Sequence, residues 1–89
     1  MREILTTHAF LKDLRRSKNR GKPIDKLTAV IETLANKSYL PKNFHPHRLT
    51  GAAHDCFECH IEPDWLLIYR CDNTKLELVR LGSHSDFFK

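Results

Sequence analysis

The spacing of apolar residues changes from helical to strand-like about halfway along this chain. In the first half, apolar side chains recur at helical spacing and predict an amphipathic helix through about residue 36, with the positions Ile24, Leu27, Val30, Ile31 and Leu34. Three later segments are rich in aliphatic and aromatic residues and are separated by turn residues: 55–61, 65–71 and 75–81. Helices followed by consecutive strands indicate the α+β class.

The first half of the chain also carries signals for one short strand and an earlier helix. Residues 2–6 predict the strand, and Thr7 is a suitable N-cap for the helix that follows. The inward positions of that helix are Phe10, Leu11 and Leu14. Gly21 breaks the helix, and Pro23 stands where a second helix can begin. We therefore expect a short N-terminal strand, a two-helix hairpin and then an antiparallel β-sheet meander.

The meander brings distant residues to one edge of the predicted sheet. The strand that contains His60 turns at Asp64, and the next strand runs away from that edge. The last strand returns and ends near Gly82, so we expect His84 to lie beside His60 and Asp64. Residues 47–51 are compatible with an additional edge strand.

Length and composition indicate one domain, residues 1–89, without a separate regulatory module. No apolar run reaches the roughly 18 residues of a membrane span, and the N-terminus lacks the apolar region of a signal peptide. We therefore expect a cytoplasmic protein. In that compartment the three cysteines would be reduced thiols rather than a disulfide framework.

Positive charge is concentrated in the first half of the chain. Residues 1–50 contain eleven Lys or Arg against four Asp or Glu, whereas residues 51–89 contain four against seven. The candidate RNA-binding cations lie on the first predicted helix and just after it: Arg15, Arg16, Lys18, Arg20 and Lys22. Such a run can bind polyphosphate by counterion release or attract an acidic protein, although a solvated helix face has the same composition.

Histidines and one aspartate cluster in the second half of the chain. Residues 60–65 have the sequence His-Ile-Glu-Pro-Asp-Trp, His84 follows Gly82 and Ser83, and His47 precedes both motifs. Histidine exchanges protons near neutrality because its unperturbed pKa is about 6.5. Cleavage of RNA by its own 2′-hydroxyl needs a base, an acid and a charge-stabilising donor, and histidines can fill these roles without a metal ion.

Other residues near these motifs could contact an RNA substrate. Trp65 and Phe88 offer flat rings for an unstacked base, and Arg48 could contact a phosphate. Asp64 could orient a histidine or act as a base itself. The competing interpretation is that the aromatic residues belong to the core and the histidines are scattered on the surface.

The sequence Cys56-Phe-Glu-Cys59-His60 matches the attachment motif of c-type haem. An export signal and a distal methionine ligand are both missing, which argues against haem. Zinc is disfavoured because cysteines three positions apart on a strand point to opposite faces, whereas zinc needs convergent ligands. We therefore expect neither a metal nor a cofactor.

Three segments together resemble the YafQ branch of the RelE/ParE toxin superfamily: residues 47–51, 60–69 and 80–88. The helical half is similar in pattern and length. The resemblance implies a compact toxin that cuts mRNA in the ribosomal A site and is neutralised by a cognate antitoxin. Carried over by position, the active-site residues of the family are His47, His60, Asp64, Trp65, His84 and Phe88.

The resemblance thus implies a ribosome-dependent endoribonuclease of a type II toxin–antitoxin system. His60 and His84 would be the acid–base and charge-stabilising pair, His47 and Arg48 would bind phosphate, and the basic helix would grip ribosomal RNA. The alternative is a non-catalytic RNA-binding protein of this fold, or a relative that acts on a protein target, as the gyrase-directed branch does. Those relatives would not need the histidine cluster.

Overall fold

The computed structural model describes residues 1–51 and 55–87. The elements are β1 (Glu3–Thr6), α1 (His8–Asn19), α2 (Ile24–Ala35), β2 (His47–Arg48), β3 (Phe57–Glu62), β4 (Trp65–Cys71), β5 (Lys75–Gly82) and α3 (His84–Phe87), with a 3-10 helix at Lys42–Phe44. From β1 to β5 they follow the predicted order, whereas α3 was not predicted. The predicted α+β class is confirmed, and the bounds of both long helices agree with their apolar spacing.

The five strands form one sheet in the order β1-β5-β4-β3-β2. The predicted antiparallel meander of β3, β4 and β5 is confirmed. The edge strand β2 is shorter than the predicted segment 47–51 and pairs His47 with Glu58. At the opposite edge, β1 lies parallel to β5, a pairing that the sequence analysis did not specify.

Both long helices contribute apolar side chains to one core with the sheet. Thr7 caps α1 by accepting a 2.9 Å hydrogen bond from the Phe10 amide, as predicted. The helical part of the core consists of Phe10, Leu27, Val30, Leu34 and Ala35, and the strand part of Cys59, Ile61, Trp65, Leu67, Tyr69, Leu76, Leu78 and Leu81. Because side chains alternate along a strand, Glu58 and His60 lie on the other face of β3. Within residues 1–51 and 55–87, the helices are too short and polar for a bilayer span.

Candidate active site

The turn between β3 and β4 lies beside the end of β5, as the predicted meander requires. Leu66 pairs with Gly82 across the two strands, so the chain that leaves β5 passes over the turn. Oδ1 of Asp64 accepts a 2.9 Å hydrogen bond from the His84 amide and lies 2.7 Å from Nδ1 of the same residue. The predicted meeting of Asp64 and His84 is confirmed.

His60 lies at the centre of a group of four imidazole rings. Its ring centroid is 5.4 Å from that of His45, 6.5 Å from that of His47 and 5.8 Å from that of His84. The rings come from the segment before β2, from β2 and β3, and from the start of α3. The predicted gathering of His47, His60 and His84 is therefore confirmed as geometry.

A buried carboxylate lies beneath two of these rings. Glu58 is only 6% exposed, and its Oε1 is 3.4 Å from Nε2 of His47 and 3.6 Å from Nε2 of His60. A carboxylate here can accept a hydrogen bond from a protonated ring nitrogen of His47 or His60, and it can balance the charge of an imidazolium. The sequence analysis missed Glu58, although its position two residues before His60 on a strand places both side chains on one face.

The same analysis did not include His45 among the site residues, although its carbonyl group orients the ring of His47. His45 has a φ of 48°, in the left-handed region, where the chain turns into β2. Its carbonyl oxygen lies 2.8 Å from Nδ1 of His47, so that nitrogen is the one that donates. Nε2 of His47 is then directed towards Glu58. The sequence signal that could have found His45 was its position two residues before His47.

His45, His47 and His60 line an open cleft of about 630 Å³, which we call the histidine cleft. Its lining residues are Asn43, Phe44, His45, His47, His60, Ile61, Glu62 and Pro63. The cleft offers imidazole groups and a loop with polar side chains on a surface that solvent can reach. Such a site suits a substrate with a chain-like backbone that must enter from the side.

Asp64 is held as an anion by its contacts with His84. The backbone N–H of His84 and then its imidazole donate hydrogen bonds to the carboxylate, which lowers the pKa of Asp64 below its ordinary value. A carboxylate with a lowered pKa is a weak base at neutral pH. It is better suited to orient and charge-balance the neighbouring imidazole.

Helix α1 clamps the short helix that carries His84. Ser83 and Asp86 form a capping pair, in which the Ser83 amide donates to Asp86 at 2.8 Å and the Asp86 amide donates to the Ser83 hydroxyl at 3.2 Å. Both carboxylate oxygens of Asp86 accept hydrogen bonds from Arg20, at 2.9 and 3.2 Å, which lowers the pKa of Asp86 far below its usual range. A Cβ on Gly82 would lie 2.7 Å from this carboxylate, so the clamp needs glycine there.

A second carboxylate fixes the end of β5 to α1. Asp13 is 3% exposed and accepts a 2.9 Å hydrogen bond from the Leu81 amide. It also binds the guanidinium groups of Arg80, at 2.6 Å, and Arg16, at 3.0 Å. Arg80 in turn lies 5.3 Å from the Phe87 ring centroid. These contacts hold the strand end from which the His84 turn begins.

A sequence model of one protein family matches nearly the whole chain. The family is described as "Bacterial toxin of type II toxin-antitoxin system, YafQ", and the match covers residues 2–89. The chain belongs to the YafQ toxin family. The resemblance that the histidine motifs indicated is thereby confirmed.

Individual relatives agree over almost their full lengths. The mRNA interferase toxin YafQ of Escherichia coli strain K12 is 32% identical over 88 residues, which cover 98% of this chain and 96% of that protein. A chain in the crystal structure of the E. coli DinJ–YafQ toxin–antitoxin complex is 31% identical, with a TM-score of 0.91 and coverage of 99% and 98%. A metal-bound toxin from Helicobacter pylori is 39% identical, with a TM-score of 0.92 and coverage of 99% and 100%.

Two aromatic residues of the YafQ pattern were expected to support a substrate base. Trp65 is 1% exposed, belongs to the core, and donates a 3.2 Å hydrogen bond from Nε1 to the Ser17 hydroxyl. It presents no exposed ring face, and the prediction that it stacks on a base is corrected. Phe88 lies outside the described residues.

The predicted RNA-binding cations of this YafQ-family chain divide into two groups. Arg16 and Arg20 contact Asp86, and Lys22 binds Glu62 at 3.0 Å. Arg15 and Lys18 are exposed and form no ion pair with a described residue. Arg48 lies with its guanidinium carbon 5.2 Å from the Phe57 ring centroid. Binding of RNA by these six residues stays a prediction.

The cysteines of the haem-like motif are free thiols. Cys56 and Cys59 are both buried, and burial raises the pKa of the Cys59 thiol to about 12. Cys59 belongs to the core, whereas His60 lies on the other face of β3. Across residues 1–51 and 55–87, no group of three or more His, Cys, Asp or Glu side chains is arranged to hold a metal ion.

Proposed function

We propose that this chain is a ribosome-dependent endoribonuclease that cleaves mRNA in the ribosomal A site and thereby inhibits translation in the cytoplasm. Membership of the YafQ toxin family supports the proposal, as does the E. coli relative that is named an mRNA interferase. The observation that carries it is a pair of carboxylate–histidine units that meet where the rings of His60 and His84 lie 5.8 Å apart. One unit is Asp64 with His84, and the other is Glu58 with His47 and His60.

Two such units match the proton transfers of RNA transphosphorylation. The substrate 2′-oxygen attacks the adjacent phosphorus, and its proton passes to a histidine acting as base. The bond from phosphorus to the 5′-oxygen breaks, and a second histidine, acting as acid, protonates that oxygen. The products are a 2′,3′-cyclic phosphate and a free 5′-hydroxyl. One imidazole gains a proton and the other loses one, so the charges balance.

The carboxylates are proposed to orient these histidines. Hydrogen bonds from His84 lower the pKa of Asp64, which makes Asp64 a poor general base and a suitable anchor for the His84 ring. With Nδ1 bound to Asp64, proton transfer by His84 is assigned to Nε2. Glu58 is proposed to do the same for the rings of His47 and His60. Arg48, together with whichever imidazole is cationic, would stabilise the phosphorane charge.

The proposed partners are the ribosome with its mRNA and a cognate antitoxin. The DinJ–YafQ complex of E. coli supports an antitoxin for this chain, because its toxin chain has the same fold. On the toxin surface, Arg15 and Lys18 are exposed cations suited to contact ribosomal RNA. We propose no small-molecule cofactor for this chain.

The proposed nucleophile can be tested by replacing the 2′-hydroxyl at the cleaved nucleotide with hydrogen. Purified toxin, treated with EDTA and then freed of it, is added to ribosomes programmed with the normal or the deoxy-substituted message in their own magnesium buffer. The normal message should be cut to a 2′,3′-cyclic phosphate or a 3′-phosphate, and the substituted message should bind but stay intact. Efficient cutting of the substituted message would exclude this mechanism.

The role of the Asp64–His84 unit can be tested with a matched pair of histidine variants. His84→Ala should lower single-turnover cleavage by about 10²–10⁴-fold, because proton transfer contributes that much, while ribosome binding stays near normal. His8→Ala is the control, since His8 is an exposed residue at the start of α1 and outside the cluster. Equal rates for the two variants would remove His84 from the mechanism. Translation arrest without cleavage would favour the non-catalytic alternative.

A further inference from the structure

A second cleft lies beside the histidine cleft. It has a volume of about 390 Å³, and we call it the Tyr39 cleft after the tyrosine on its rim. The aromatic rings of Phe57 and Tyr69, stacked with centroids 5.7 Å apart, are among its lining residues. His47 lines both clefts.

Tyr39 and Lys37 line the Tyr39 cleft and belong to a basic segment of the chain. Tyr39 is 98% exposed, so its ring is open to a ligand. Residues 36–48 contain Lys37, Lys42 and Arg48 but no Asp or Glu. Among the described residues, none of these three cations has a carboxylate partner within ion-pair distance, in contrast to Arg16, Arg20 and Lys22.

We infer that the Tyr39 cleft binds a nucleotide of the single-stranded RNA next to the one cleaved, with Tyr39 stacking on its base and Lys37 contacting its phosphate. The inference rests on the proposed function and deepens it by extending the substrate path beyond the histidine cleft. Nothing in the histidine motifs points to Tyr39 or Lys37, since neither belongs to them.

Chemical complementarity favours RNA as the occupant. An exposed aromatic ring between cations is a combination that grips single strands, because every base has a face to stack and every linkage has a charge to neutralise. His47 borders both clefts, so the proposed binding positions of two adjacent nucleotides meet at this side chain. Because Trp65 is buried, its ring face is not open to a base, whereas the ring of Tyr39 is.

The inference is tested on the free toxin with a fluorescent hexanucleotide whose 2′-hydroxyls are methylated and which therefore cannot be cleaved. Fluorescence anisotropy at low salt measures its affinity. Tyr39→Ala should weaken binding about tenfold, whereas Tyr39→Phe should bind like the wild type because the ring face remains. The exposure of Tyr39 predicts that the melting temperature stays unchanged in both variants.

A matched pair of lysine variants tests the phosphate contact. Lys37→Gln should weaken binding and reduce the slope of log affinity against log salt by about one. Lys75→Gln removes the same charge from an exposed position at the start of β5 and should change neither quantity. Equal effects of the two lysines would show a general charge effect and would overturn the assigned contact.

Other outcomes separate this inference from the proposed function. If the wild type cleaves mRNA on ribosomes but does not bind the probe, or if Tyr39→Ala binds it normally, the Tyr39 cleft is not an RNA site. If the wild type fails to cleave but Tyr39 and Lys37 still govern probe binding, the cleft stands and the proposed function falls. If the Tyr39→Ala variant loses only its antitoxin, the cleft belongs to the antitoxin and the inference is overturned.

Discussion

The two basic regions of this molecule use their cations differently. On α1 and just after it, Arg16, Arg20 and Lys22 contact the carboxylates of Asp86 and Glu62. In the loop from residue 36 to residue 48, the cations have no such partner among the described residues. The first region has more cations along the sequence, but a larger fraction of the cations in the second has no carboxylate partner among the described residues.

The difference shows that a basic run does not by itself locate a nucleic-acid surface. The Arg20 side chain is about half exposed, so solvent screens its charge, whereas the Asp86 carboxylate that it contacts is nearly buried. The importance of Arg20 lies in position, since it holds the carboxylate that caps the helix beginning at His84. Cations that serve the catalytic geometry and cations that contact RNA should therefore give different kinetic defects.

Among variants that leave the histidines unchanged, the largest effect is expected when the contacts that clamp α3 are removed. Asp86→Ala should lower single-turnover cleavage roughly a hundredfold, because small displacements of a catalytic group are costly, while ribosome affinity changes little. Asp86→Asn should recover part of the rate, since its amide oxygen can still accept from the Ser83 amide. The measurements are the cleavage rate at saturating toxin and the dissociation constant for the ribosome.

A suitable control is Glu32→Ala, which removes an exposed carboxylate from α2. Melting curves followed by circular dichroism establish that each variant is folded at the assay temperature. A normal rate for folded Asp86→Ala would mean that the contact with Arg20 does not place His84.

A smaller effect of the opposite kind is expected from the exposed cations of α1. Arg15→Gln combined with Lys18→Gln should weaken ribosome binding roughly tenfold and reduce its salt slope by about two, because two phosphate contacts are lost. Cleavage at saturating toxin should stay normal. Filter binding over a range of salt concentrations and single-turnover rates provide the two measurements.

Arg20→Gln provides the comparison for that double variant. It removes a cation from the C-terminal end of α1, but it also removes the hydrogen bonds to Asp86. It should lower the cleavage rate and leave most of the ribosome affinity. The division between the two kinds of cation on α1 would be wrong if both variants had the same defect.

Local pattern in the sequence was enough to predict the order and type of the elements from β1 to β5, but not the short helix α3. Helical spacing predicted α2, and turn residues between apolar segments predicted β3, β4 and β5. Two reversals of a meander then require His60, Asp64 and His84 to meet, whatever the detailed packing. For this reason the motif residues could be placed at one edge of the sheet from the sequence alone.

Tertiary packing decided which face of each strand is covered and which charges find each other. Alternation along β4 puts Trp65 and Leu67 on one face, but only the helices make that face the core. The contact of Glu58 with His47 likewise joins two different strands. Asp86 and Arg20 are 66 residues apart, and no local pattern specifies such a pair. The sequence determined the fold class and the side chains of the candidate site, whereas long-range contacts determined which of its cations and aromatic rings are available to a substrate.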